Sequence, residues 1–165
     1  MKTIHTAAAL SLLAACSTAP QSTVAVPDSL KPGSGETLAM IVPAKGVQIY
    51  ECRAGQWAFV APEADLFNAS GQKIGRHYAG PSWEAADGSR IVGAVKAKAD
   101  APEMSSIPWL LLGTKSTGGP GTFSKVTSVQ RLSTVGGIAP ARDCEDGARA
   151  RMSYTADYYF FTERQ

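Results

Sequence analysis

The sequence predicts an all-β protein, an antiparallel sandwich or closed barrel of short strands with little helix. Three observations carry that expectation. Sixteen Gly and ten Pro in 165 residues interrupt the chain too often for long helices. Between residues 37 and 161, short apolar stretches rich in β-branched and aromatic side chains alternate with clusters of Gly, Pro, Asn and Asp, the pattern of strands and turns. No window sustains apolar residues at i, i+3, i+4 and i+7 over three turns, so no amphipathic helix is expected. The length suits one domain, and there is no internal repeat.

Taken in order, residues 38–42 (LAMIV) read as a strand stopped by Pro43, which has no N–H for a ladder. Residues 47–52 (VQIYEC) and 56–60 (QWAFV) flank Ala54-Gly55 and read as a hairpin. Residues 64–67 and 73–78 are strands around the turn Asn68-Ala69-Ser70-Gly71. Residues 82–85 and 90–98 surround Asp87-Gly88, a strong hairpin-turn pair. In the second of these, Ile91, Gly93, Val95 and Ala97 share one face, while Arg90, Lys96 and Lys98 mark the wet one. Residues 101–107 read as a loop, 108–112 (PWLLL) as a buried strand and 116–122 (STGGPGT) as a Gly-rich loop. Residues 126–132 and 151–161 complete the set. In the last, Met152, Tyr154, Ala156, Tyr158 and Phe160 alternate with more polar neighbours, and near Tyr159 both faces turn apolar, as in a strand covered on both sides. Trp57 and Trp109, in apolar strands, are expected in the core.

The chain opens with Lys2 and a short apolar run that ends Leu13-Ala14-Ala15-Cys16, the layout of a secretory signal. The run is far short of the roughly 20 apolar residues of a membrane-spanning helix. Its ending resembles the bacterial lipoprotein lipobox, in which the cysteine thiol accepts a diacylglyceryl group and becomes the first residue after cleavage. Residues 1–15 are therefore expected to be a lipoprotein signal peptide and Cys16 the lipid attachment site, with palmitate among its acyl chains. Several acyl chains, each contributing about 0.8 kcal/mol per buried methylene, make such an anchor stable. Ser17 rather than Asp after the cysteine favours, by the same resemblance, the outer membrane, with the domain facing the periplasm. Residues 16–36 follow as lipidated cysteine and flexible tether, rich in Ser, Thr, Pro and Gly, with a reach on the order of 25 Å. The alternative is an extension lying along the domain through Val24 and Val26. Both readings keep this stretch out of the core, and residues 37–165 form the single β domain.

Processing simplifies the reactive inventory. With Cys16 lipidated, Cys52 and Cys144 remain, and two thiols in an oxidising compartment are expected to pair. The long loop so closed is valued by chain entropy at about 4–5 kcal/mol. His5 leaves with the signal, so His77 is the remaining imidazole. A three-His metal site is excluded, and no metal or other cofactor is expected. No Gly-x-Ser-x-Gly elbow, phosphate-binding Gly-x-x-x-x-Gly-Lys loop or Cys-x-x-Cys pair is present. Sixteen Lys+Arg against 14 Asp+Glu, a net of +2, is too balanced for a protein gripping phosphate backbones, so no nucleic-acid partner is expected.

Several stretches together resemble the domain-of-unknown-function family numbered 3455: residues 42–52 (VPAKGVQIYEC), 56–67 (QWAFVAPEADLF), 75–88 (GRHYAGPSWEAADG), 101–112 (APEMSSIPWLLL), 126–140 (VTSVQRLSTVGGIAP) and 154–161 (YTADYYFF). The resemblance implies an exported or envelope-associated bacterial domain with fungal relatives, and it implies no activity, cofactor or catalytic residue. Some fungal relatives carry a malate dehydrogenase label; the absence of a Gly-x-Gly-x-x-Gly unit here speaks against it.

Residues 76–87 (RHYAGPSWEAAD) are the densest polar-aromatic cluster. Tyr78, Trp83 and Asp87 are candidate ligand-binding residues, since an aromatic platform with hydrogen-bonding groups suits a small ligand or glycan. His77 with Glu84 is the weak candidate for a base and its orienting carboxylate. The same residues also read as structural, with Glu84 pairing Arg76 and the aromatics half-buried. Gln130 and Arg131 either point a polar pair into a pocket or, as the stronger expectation, lie on a solvated face. The reading is a non-catalytic envelope domain that binds a small ligand, a glycan or an envelope partner. A small hydrolase and a structural lipoprotein without a pocket are the alternatives.

Overall fold

The computed structural model describes residues 25–165. Tight turns set its connectivity. Ala54 and Gly55 both take positive φ, 52° and 74°, so Arg53 faces Gln56 and β1 (Glu36–Arg53) folds straight back as β2 (Gln56–Phe67). Two central residues with positive φ match the twist of the flanking strands. The chain continues through β3 (Lys73–Tyr78), β4 (Ser82–Ala85), β5 (Arg90–Ala99), β6 (Trp109–Gly118), β7 (Val126–Gly136) and β8 (Arg149–Glu163). Each strand pairs antiparallel with the next, and β8 returns to β1, so the ladder closes. Of the two expected architectures, the closed ring is the one adopted. It is uneven: β1 and β8 pair from Glu36↔Glu163 to Glu51↔Arg149, whereas β3 and β4 meet only from Gly75↔Ala85 to Tyr78↔Ser82.

Several strands run further than their sequence suggests. Pro43 does not stop β1, and β2 continues through Pro62. Pro43 lies one residue beyond the last β1–β2 pair, Ala44↔Leu66. Pro62 likewise lies outside the β2–β3 ladder, which runs from Ala64↔His77. Each proline sits where one flank of its strand is open, and there a missing N–H is tolerated. β6 extends to Gly118, into the stretch expected to be a loop, and β7 reaches Gly136. In β5, register shifts at Val92/Gly93 and Val95/Ala97 break the expected shared face and leave Val95 57% exposed, because each bulge re-aims the residues beyond it.

Alternation along β8 sends Tyr154, Ala156, Tyr158 and Phe160 into the ring, where they meet Val42, Trp83 and Leu112. A second cluster lies on the outer face, built on Trp109, Leu111 and Leu132, with Tyr159 and Val26 packed against it. A single 3-10 turn, Asp28–Leu30, covers it. Leu30 is fully buried, and Gln130 Nε2 donates to its carbonyl at 2.6 Å. This corrects the expectation that residues 16–36 stay clear of the core: from Val26 the segment is docked, burial of one leucine contributing about 1.5–3 kcal/mol. It also explains why β8 turns apolar on both faces at Tyr159. Cys16 and residues 1–15 lie outside the described residues, as does Val24.

Cys52 and Cys144 form the expected disulfide, with Cα atoms 5.8 Å apart, tying the end of β1 to the loop between β7 and β8. Trp57 holds the same loop, donating Nε1–H to the Arg142 carbonyl at 3.0 Å. It is half-exposed rather than a core residue, in contrast to Trp109.

Candidate functional site in the barrel interior

The two ends of the ring differ. At one, Asp87 accepts from the Ser89 hydroxyl at 2.6 Å and backbone at 2.9 Å, and from the Thr122 backbone at 2.8 Å and hydroxyl at 2.7 Å. Ser89 Oγ in turn accepts from the Phe123 N–H at 3.0 Å. This network pins the β6–β7 loop to the β4–β5 turn and seats Phe123, fully buried, against Phe160 with ring centroids 4.8 Å apart. The hydrogen bonds from Ser89 and Thr122 hold the Asp87 carboxyl far below its ordinary range. Asp87 is thus a loop clamp.

The opposite end carries a cavity of about 300 Å³, at the small end of ligand pockets. Its deep wall is Trp83, His77 and Tyr158; its rim includes Phe59, Val60 and Val95, which are 53%, 40% and 57% exposed. The register explains the wall: His77 pairs with Trp83 across β3–β4, and both point inward. Their rings stack with centroids 4.5 Å apart, and Tyr158 approaches His77 edge-on at 5.0 Å. His77 Nδ1 lies 2.8 Å from the Ser82 carbonyl. A carbonyl only accepts, so Nδ1 carries the hydrogen and Nε2 is bare. Burial, against the pull of that bond and helped by the Arg131 charge, pushes the imidazole from 6.5 down to about 3. It is neutral at physiological pH.

Among the described residues, one cation lines this cavity. Arg131 lines the cavity and faces Tyr158 across β7–β8. Its Nε and Nη2 donate to the Pro108 carbonyl at 3.1 and 2.7 Å. The expectation of a solvated face is corrected for both residues: β7 alternates, so Arg131 shares the inward side with Val129, and Gln130 on the other side is buried beneath the docked segment. Gln130 is turned outward to Leu30 instead. At the same end Tyr50 donates to the Gly137 carbonyl at 2.8 Å, and the Tyr154 and Tyr158 hydroxyls meet at 3.3 Å. Desolvation raises both of the latter phenols. Trp83 Nε1 and Gln48 Nε2 are buried without a partner.

The candidate residues of the sequence are therefore not one site. Alternation puts Arg76, Tyr78 and Glu84 on the outer face, opposite His77 and Trp83. Glu84 accepts from Arg76 Nη2 at 2.9 Å and from the Tyr78 hydroxyl at 2.7 Å, and those partners hold its carboxyl below the usual range, Tyr78 most of all. The His77–Glu84 acid–base pair is not assembled, and His77 is oriented by a carbonyl. Of Tyr78, Trp83 and Asp87, Trp83 alone lines the cavity. Tyr158 and the rim residues are not among the sequence candidates, and for Arg131 the less favoured of its two readings, a pocket-facing side chain, is the one adopted. A charged residue at an inward-facing place in a buried strand was the available signal for Arg131. The rim left no signal, since it is assembled from β2 and β5. Among the described residues no group of three His, Cys, Asp or Glu is placed to hold a metal.

Fold and site together define a closed antiparallel eight-stranded ring, plugged at one end and hollow at the other. The chain belongs to the family described as protein of unknown function, DUF3455, whose model matches residues 32–162. No curated protein and no solved structure matches it.

Proposed function

We propose that this is an exported, lipid-anchored envelope domain whose ring takes up a small, largely apolar ligand through its open end, without catalysis. The cavity carries the reading: buried aromatic walls lead out to an exposed apolar rim, a surface that water covers at a cost and an apolar ligand covers with gain. Small barrels hold a single small ligand in this way. Apolar walls suit such a ligand better than a glycan, since Tyr78 and Asp87 are engaged elsewhere. The sequence from Lys2 to Cys16 supports export and anchoring.

Trp83 in the wall makes binding measurable. Titration with 1-octanol is expected to give a saturable change in tryptophan emission, and Leu110→Trp, which fills the cavity, to abolish it while the protein stays folded. An unsaturable response would refute the binding reading. For the anchor, Cys16→Ser is expected to lose lipid labelling and leave the membrane fraction; unchanged fractionation would refute that part alone.

A further inference from the structure

The charge at the hollow end points to the ligand's chemistry. Arg131 is held by neutral oxygens: the Pro108 carbonyl takes Nε and Nη2, and the Tyr158 hydroxyl faces the same guanidinium. Among the described residues it makes no ion pair, although Asp28, Glu51, Glu63, Glu84 and Asp65 all do. Residues 1–24 contain no Asp or Glu, so no counter-anion comes from them. A partly buried guanidinium without an anion is an uncompensated charge in a poorly solvated place. In the same lining, the fully buried Trp83 leaves its Nε1–H without an acceptor. The cavity lining thus offers the donors and positive charge of Arg131, and no carboxylate.

We propose that the ligand is a small amphipathic carboxylate, its head seated at Arg131 and its apolar remainder lying along Trp83 toward Phe59, Val60 and Val95. A planar guanidinium matches a carboxylate geometrically. A single cation balances a monoanion; a second negative charge would stay uncompensated between apolar walls. This rests on the binding reading above and adds the charge of the ligand to it.

Calorimetric titration of the protein with octanoate, 1-octanol and octylammonium separates the two. These probes share one tail and differ in head charge. Octanoate is expected to bind about ten- to a hundredfold more tightly than 1-octanol, the range of a charge-assisted hydrogen bond, and octylammonium most weakly. In Arg131→Gln the acid-to-alcohol ratio is expected to fall to near one; Arg131→Lys keeps the charge and should keep part of the ratio. Equal binding of octanoate and 1-octanol to the unaltered protein overturns the charge assignment and leaves the cavity reading standing. A ratio unchanged in a folded Arg131→Gln protein overturns the role of Arg131. Failure of all three probes to bind overturns both readings. The probe series needs no variant, so a poorly folding substitution does not spare the proposal.

Discussion

At the end of the ring closed by the β4–β5 turn and the β6–β7 loop, Phe123 fills the interior and a carboxylate clamps the loop that carries it. At the other end the interior is open, its walls are aromatic and largely apolar, and the nearby loop is held covalently through Cys52–Cys144. At the plugged end Asp87 and Ser89 are satisfied within the protein, although Ser128 Oγ is buried there without a partner. The hollow end leaves the Trp83 indole N–H without a partner and the Arg131 charge without a counter-anion. A structure built only for stability would treat both ends alike, because each unmatched polar group or void lowers stability. Under the proposed function, stability belongs to the first end and ligand binding to the second.

The contrast is open to being broken. The largest effect is expected at the plug: Phe123→Ala should cost about 3–5 kcal/mol in denaturant-unfolding midpoints, and a loss near zero would mean the end is not sealed by this ring. Next, Cys52→Ala with Cys144→Ala should cost about 2–5 kcal/mol, with backbone exchange rising first in the β7–β8 loop.

Acid should loosen the two ends in sequence. His77 has a folded pKa depressed from 6.5 to about 3, so below pH 6.5 the unfolded chain binds the proton and the folded one does not. Its contribution is present in full above that pH and is lost as pH falls toward 3, with a slope of up to about 1.4 kcal/mol per unit. Asp87, also depressed, contributes above its ordinary value of 3.8 and loosens only below it. Stability against pH should thus fall first through His77, and His77→Phe should flatten the curve between pH 6 and about 4; an unchanged curve would argue that the ring is not buried. The smallest stability effect belongs to the rim, where Phe59→Ser and Val95→Ser should shift unfolding by less than about 0.5 kcal/mol yet weaken 1-octanol binding.

Legibility in the sequence followed the range of the interactions. Asp87-Gly88 and Ala54-Gly55 announce their turns because a turn is decided by the φ its own residues tolerate. Strand ends are less legible: Pro43 looks like a stop until the β1–β2 ladder shows one flank unpaired. The cluster from Arg76 to Asp87 looked like one site because its residues are close in sequence, and a strand divides such neighbours between two faces. Leu30 read as tether because nothing local reveals the outer face of β6–β8 that it covers.

By itself the sequence determined the strand-and-turn class, the family and the pairing of Cys52 with Cys144, since these depend on composition, local pattern and a count of thiols. Tertiary structure alone decided that the sheet closes on itself, that Phe123 seals one end, and that Arg131, Trp83, His77 and Tyr158 share the interior of the other. Closure is a matter of which distant strands pair. An inward-facing charge acquires meaning only when the strands around it fix what it can and cannot reach.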